Sequence, residues 1–381
     1  GRWGAEAGAG DSARERLCVE LTNRSNVRLV PNARVISWDG PGRLTALRGG
    51  GVLTLHAAQV VAATGVLEQP MVMRGGDLPG VMTGGGVQRA LRLWGVKPGE
   101  RAVVCTVNPQ GYATALDLHD AGVEVAAVLD LNEDHFDCPE RRACETRGLR
   151  IMPGHTVHAA NPDGTGTRLG SVVVDALADH EGDVSFATET LRCDLLAMSV
   201  GTAPLGNLPA QAGASLISDT YTGTFLVEDV PPRLHLAGGL TGAHDLDHLQ
   251  AGGRHAGWAA AKAAGAPVGG NPGAPERERR LVDHPWPIFP HHKGGEIVDR
   301  DADLTVADVR AAAEAGFAHP ELLKRATGAA SGASQGRVSA LHALRIAARA
   351  AGHASGGWHP PASRPPATPA PLTALASVAH P

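Results

Sequence analysis

Cysteine is scarce in this 381-residue chain, with five residues at Cys18, Cys105, Cys138, Cys144 and Cys193. No two of them form a CxxC pair, and an odd count in a chain of this length argues against a disulfide framework. A zinc or iron–sulfur site built from these thiols is not expected either. Long hydrophobic runs are also missing. No segment approaches the roughly 20 apolar residues that span a bilayer, and the N-terminus shows no signal-peptide pattern. Nor does one charge dominate: 34 Lys and Arg face 39 Asp and Glu, a net −5. Neither nucleic acid nor a membrane surface is therefore an expected partner. The first ten residues, GRWGAEAGAG, contain no strand and no Gly-rich turn. A cytoplasmic globular protein remains, long enough for two or three domains with substantial cores.

A helix is predicted over residues 11–21, followed by short strands at 27–30, 34–38, 51–56 and 59–63. Strands so short, with little helix between them, imply an antiparallel excursion that returns to a parallel sheet. A helix over 86–94 precedes a Lys97-Pro98-Gly99-Glu100 turn. From Arg101 the pattern becomes β-α-β. Residues 102–107 (AVVCTV) are a buried strand, 111–121 an amphipathic helix with Gly122 just past its end, and 123–129 a second buried strand ending at Asp130. A helix near 139–147, several strands through 190, and buried strands at 194–200 and 233–237 follow. An Ala-rich helix is predicted over 251–264. A Pro-rich linker then leads to helices at 305–315, 320–327 and 339–352, and residues 354–381 read as a disordered tail.

The 102–130 unit has the layout of a nucleotide-binding βαβ. Its turn, Val107-Asn108-Pro109-Gln110-Gly111, offers one glycine where a pyrophosphate needs three, so a structural layer is the favoured reading. Thr64 and Gly65 close one buried strand, and Gly238 and Gly239 close another ahead of Leu240. Gly252 lies on the helix that follows. Small residues at two strand ends let a backbone pass close to a bound dinucleotide. A second candidate is the Gly/Ser loop 328–339, where Gln335, Gly336, Arg337 and Ser339 combine N–H groups, a guanidinium and a hydroxyl suited to a phosphate. The competing reading makes Ser339 a helix cap. His244 and His248 stand four apart with carboxylates between them, but cofactor-adjacent surface polarity is preferred over a metal site. His291 and His292 read as a solvated linker.

Residues 63–70 (ATGVLEQP), 76–87 (GDLPGVMTGGGV), 93–100 (LWGVKPGE), 111–131, 193–201 (CDLLAMSVG), 304–316 (LTVADVRAAAEAG), 323–325 (LKR), 334–337 (SQGR), 343–346 (ALRI) and 363–366 (SRPP) resemble, in order, the alpha subunits of heterotetrameric sarcosine oxidase. The resemblance extends more loosely to opine oxidase, hydrogen cyanide synthase and dye-linked proline dehydrogenase subunits. It implies an α/β fold of the two-dinucleotide-binding-domain flavoprotein (pyridine nucleotide-disulfide reductase-like) type, with its first domain incomplete and a small C-terminal helical domain. The family's opening GxGxxG and its C-terminal aminomethyltransferase-like domain have no counterpart here.

On this basis residues 1–70 and 202–268 form parts of an FAD/NAD(P)-binding domain, and 71–201 an inserted second dinucleotide-binding-like domain. Residues 269–296 are the linker, and 297–353 a helical domain resembling the cluster-binding domain of relatives. No [2Fe-2S] cluster is expected, since Val298-Asp299-Arg300-Asp301 and residues 334–339 hold none of the four thiolates it needs. The resemblance implies NAD or FAD in the dinucleotide domain, FMN where a flavin-bearing beta subunit docks, and oxidative demethylation of sarcosine or a related secondary amine. The catalytic residues would lie on the partner, as no general base stands beside a nucleophile here. The alternatives are an FAD/NAD(P)-dependent reductase subunit binding FAD itself, and a scaffold without cofactor.

Overall fold

The structure is a computed structural model describing residues 9–133, 137–177, 184–276, 283–354, 356–361 and 363–376. At its centre stands a five-stranded sheet in the order Ile151–Pro153, Glu124–Asp130, Arg101–Thr106, Leu195–Ser199, Val81–Thr83. All its pairings are parallel. A parallel sheet is covered on both faces, so its inner strands read as unbroken apolar runs, and every residue of Leu195–Ser199 is buried. Helices Gly84–Trp94, Pro109–Asp120 and Pro139–Thr146 cover one face, packing Val87, Tyr112, Leu118 and Cys144 against Val104 and Val128. An antiparallel sheet of His155–Pro162, Leu169–Leu177 and Val184–Arg192 covers the other, packing Val157 and Val172 against Leu129 and Leu196. The expected β-α-β is present, with Gly122 at φ +75° past the helix end.

The Pro109–Asp120 helix packs on the Thr106 side chain through Gly111. A Cβ on Gly111 would overlap Thr106 Cβ and Oγ1, whereas one on Gly253, in the helix Leu246–Ala263, would meet nothing. Gly111→Ala is accordingly expected to lose about 2 kcal/mol of stability by overpacking. Gly253→Ala should gain up to about 1 kcal/mol by reducing unfolded-state entropy. Urea midpoints of the two variants check the contrast.

The antiparallel excursion consists of Arg34–Gly40, Arg43–Arg48 and Gly51–His56. Arg43–Arg48 is not among the expected strands, and residues 27–30 form none, lying outside every sheet with Leu29 exposed. Val60–Ala62 then pairs in parallel with Leu234–Leu236. Between these two strands the chain leaves along Val66–Glu68 and returns along Thr202–Pro204, which pair antiparallel as a neck. Glu68 ties that neck to the central unit, both carboxylate oxygens accepting Gly85 N–H at 2.9 Å.

The C-terminal unit comprises Val306–Ala312, Pro320–Thr327 and Ala340–Ala350 around Val309, Leu323, Ile346 and Ala347. Thr305 and Asp308 form a capping box at its first helix. Three expectations need correcting. The segment read as a linker contributes Ile288–Phe289, wholly buried and paired in parallel with Val72–Met73. His291, read as solvated, is half-buried with its ring 4.8 Å from that of His158. The tail read as disordered is docked over its described part. Ala367 N–H donates to the Ile36 carbonyl at 2.6 Å, Arg34 to the Pro369 carbonyl, and Ala374 is buried against the first sheet. Residues 1–8, 277–282 and 377–381 of those expectations lie outside the described residues. No helix among the described residues is long and apolar enough to cross a membrane.

Candidate functional site

The parallel pair Val60–Ala62 and Leu234–Leu236 delivers two turns to the same edge, at the carboxyl ends where ligands of such sheets gather. Gly65 and Gly238 both take left-handed backbone, at φ +76° and +72°. A Cβ on Gly239 would sit 3.9 Å from Gly65 Cα, so the structure brings the two glycine turns together. Thr64 is exposed beside them, its hydroxyl donating to the Leu205 carbonyl at 2.9 Å. Leu240 turns its side chain into the core with Val227. Gly252 stands apart. A Cβ there would make only an ordinary 3.8 Å contact with Pro275, so this helix does not pack closely through Gly252.

The βαβ turn is closed by its own side chains. Asn108 caps the helix, its Oδ1 accepting from Gln110 N–H at 3.2 Å and from the Ser199 hydroxyl at 3.0 Å. The acidic residue that would hold a ribose, Asp130, is buried and accepts from the Tyr112 hydroxyl at 2.5 Å and from Asn132. Helix N–H groups and carboxylate are thus already occupied, which favours a structural role for this layer. The His244–His248 segment is likewise a cap. Asp245 accepts from Asp247 and His248 N–H groups at the start of Leu246–Ala263. No group of metal-ligating side chains with suitable geometry occurs among the described residues.

The second candidate loop borders a cavity of about 580 Å³. Gln335, Gly336 and Arg337 line one wall. A second is formed by Pro204, Asn207 and Phe225, and a third by Trp358, His359 and Ser363. Arg337 is half-buried. Its Nε donates to the Ser334 carbonyl at 2.8 Å, and its terminal amino groups have no protein partner among the described residues. Desolvation lowers its pKa from the ordinary guanidinium value, with Asp301 opposing and Arg34 adding to the shift, so an anion would relieve a real penalty. An adjoining groove of about 370 Å³ adds Lys324, Arg325 and Arg364.

Ser339 needs correction on both readings. It is buried and its hydroxyl donates to Asp299 at 2.8 Å, so it neither caps the helix nor faces the cavity. Trp358, His359 and Phe225 escape a reading of the sequence, the first two because their segment reads as tail. The available signal is the pair of matched segments 323–325 and 363–366, which flank the groove.

Residues 293–379 match the sarcosine oxidase A3 domain. The chain is 31% identical over 366 residues to the sarcosine oxidase alpha subunit of Corynebacterium sp. (strain P-1), covering 89% of this chain and 35% of that one. It is 26% identical to hydrogen cyanide synthase subunit HcnB of Pseudomonas aeruginosa, over 90% of this chain and 81% of that one. Among solved structures, L-proline dehydrogenase from P. horikoshii superimposes with a TM-score of 0.75 at 16% identity, covering 96% of this chain and 68% of that one. The α/β oxidoreductase fold with its helical C-terminal unit is therefore the observed one. The chain spans about a third of the length of the sarcosine oxidase subunits that it matches. It is a homologue of sarcosine oxidase alpha subunits and carries their A3 domain.

Proposed function

We propose that this chain acts as an alpha-type subunit in a complex that oxidatively demethylates sarcosine or a related secondary amine. A flavin on a partner beta subunit would accept the hydride from the amine. This chain supplies the seat of a second, phosphate-bearing flavin and a dinucleotide turn. The observation that carries the reading is the open cavity lined by Trp358, Phe225 and Arg337, whose terminal amino groups have no protein partner among the described residues. A planar ring with an anionic tail suits that combination. FMN held there would supply an electron relay from the partner; Arg337 would pair with its phosphate, and Lys324, Arg325 and Arg364 would add positive charge in the adjoining groove. Gln335, assigned to the same site, is held by donation to the Pro366 carbonyl at 2.9 Å.

The paired turns at Thr64–Gly65 and Gly238–Leu240 fit the pyrophosphate of NAD or FAD, whose backbone approach their left-handed glycines permit. We assign residues 1–70 and 202–268 to that dinucleotide domain and 71–201 to the insertion. Mass spectrometry of the nucleotide released from the denatured chain separates FAD from NAD, and both from FMN.

Titration of the purified chain with FMN, followed by quenching of flavin fluorescence, tests the cavity. Wild type is expected to prefer FMN over riboflavin, and Arg337→Ala to weaken FMN about tenfold or more, the worth of a charge-assisted hydrogen bond. Equal affinity of wild type and Arg337→Ala for FMN would remove the assignment.

A further inference from the structure

The loop carrying Arg337 is strained. Ala330 and Gln335 both take left-handed backbone, at φ +59° and +49°, which non-glycine residues hold only when their surroundings fix it. Gly336 follows at φ +73°, where a Cβ would press on Ala330 and Ala340.

Asp299, which ends the strand Ile297–Asp299, holds this loop near both ends, and Asp301, in the turn that follows, holds it between them. Asp299, buried, accepts from Ala330 N–H at 2.9 Å and from the Ser339 hydroxyl at 2.8 Å. Asp301 accepts from Ser334 N–H at 2.7 Å and packs on Gly332, where a Cβ would overlap its carboxylate. The two are themselves joined, Asp301 N–H donating to Asp299 at 3.0 Å. Of the two strained residues, Ala330 thus donates to one aspartate, and Gln335 directly follows the residue that donates to the other.

Ser334 is where the contacts converge. Its N–H is held by Asp301, and its carbonyl accepts Arg337 Nε. Asp301 therefore fixes the residue from whose carbonyl the guanidinium is hung, and its charge also acts on Arg337 through space. We infer that Asp301 is a positioning residue for the phosphate end of the cavity, acting on the ligand through Ser334 and Arg337. The inference rests on the cavity being a phosphate-bearing flavin site.

The test compares wild type, Asp301→Ala and Asp301→Asn in the full chain, titrated with FMN and with riboflavin, which lacks the phosphate. Backbone amide exchange of residues 328–337 is followed in parallel. The positioning role predicts that Asp301→Ala weakens FMN about tenfold while riboflavin affinity is unchanged, the loss of one oriented charge-assisted contact. Asp301→Asn, whose Oδ1 still accepts from Ser334, should recover most of it. Exchange should rise in Asp301→Ala, confined to 328–337. A fall in both ligands alike, or none in either, overturns the inference. If wild type binds neither flavin, the reading of the cavity fails on its own. Exchange then decides: a local rise supports positioning by Asp301, and an unchanged loop overturns it.

Discussion

Asp283→Asn is expected to stabilise the protein at pH 8 by several kcal/mol while leaving it almost unchanged near pH 4. Asp283 is buried beside Gly201 and Thr202, at the end of the central strand Leu195–Ser199. One oxygen accepts Thr202 N–H at 2.8 Å, and the other has no partner among the described residues. Burial pushes its carboxyl up to about 8 against the bond from Thr202 and the field of Arg345, itself lowered to about 10 by desolvation. Below the ordinary carboxylate value both folded and unfolded chains hold the proton, and the side chain costs little. Between that value and about 8 only the unfolded chain ionises, so stability falls as pH rises; above 8 the loss levels off. Linkage sets the slope at about 1.4 kcal/mol per pH unit over that window. Asn keeps the acceptor for Thr202 and has no proton to lose. Melting temperatures of the two proteins from pH 4 to pH 8.5 should therefore diverge steadily with pH, and parallel curves would refute the account.

Phe289→Ala is expected to destabilise the fold by about 4 kcal/mol, in the range of large aromatic deletions from a closed core. The side chain is fully buried in the cluster formed by Met73, Leu129 and Val157, and its strand pairs in parallel with Val72–Met73. Through it the segment entering the C-terminal unit is anchored in the central one. The loss should appear as a single shifted urea transition. If a substitution in a mere connecting segment were at issue, the midpoint would scarcely move.

These two residues show where the sequence misleads. Asp283 and Phe289 lie in a proline-studded run, Asp283-His284-Pro285-Trp286-Pro287-Ile288-Phe289-Pro290, whose composition reads as linker. A two-residue strand leaves no periodicity, and its burial is decided by Val72–Met73, more than two hundred residues earlier. The central sheet was legible for the opposite reason. Strands buried on both faces read as nearly continuous apolar runs, and 102–107, 123–129 and 194–200 do so apart from Thr106, Glu124, Asp194 and Ser199. Gly122 was legible because a left-handed helix end favours glycine. Ser339 misled because a serine before a helix resembles a cap whether or not its hydroxyl is called away by Asp299, forty residues distant. The cavity could be only half seen. Arg337 announced itself by chemistry, while Trp358 and His359 reach it only because the tail folds back, with Trp358 N–H donating to the Ser218 hydroxyl and His359 meeting the Leu216 carbonyl.

The neck has a topological consequence. Thr202 stands opposite Glu68 and Pro204 opposite Val66, so the chain re-enters the ladder beside the point where it left. Seen from the glycine turns, the whole stretch from 69 to 201 is one very long hairpin loop that happens to be folded. A loop of that length adds little closure entropy beyond a short one, since the cost grows only with the logarithm of length. Such an arrangement lets the stretch lengthen or shorten while the strand pair at its base keeps its register, provided that Val72–Met73 stays in place to hold Ile288–Phe289.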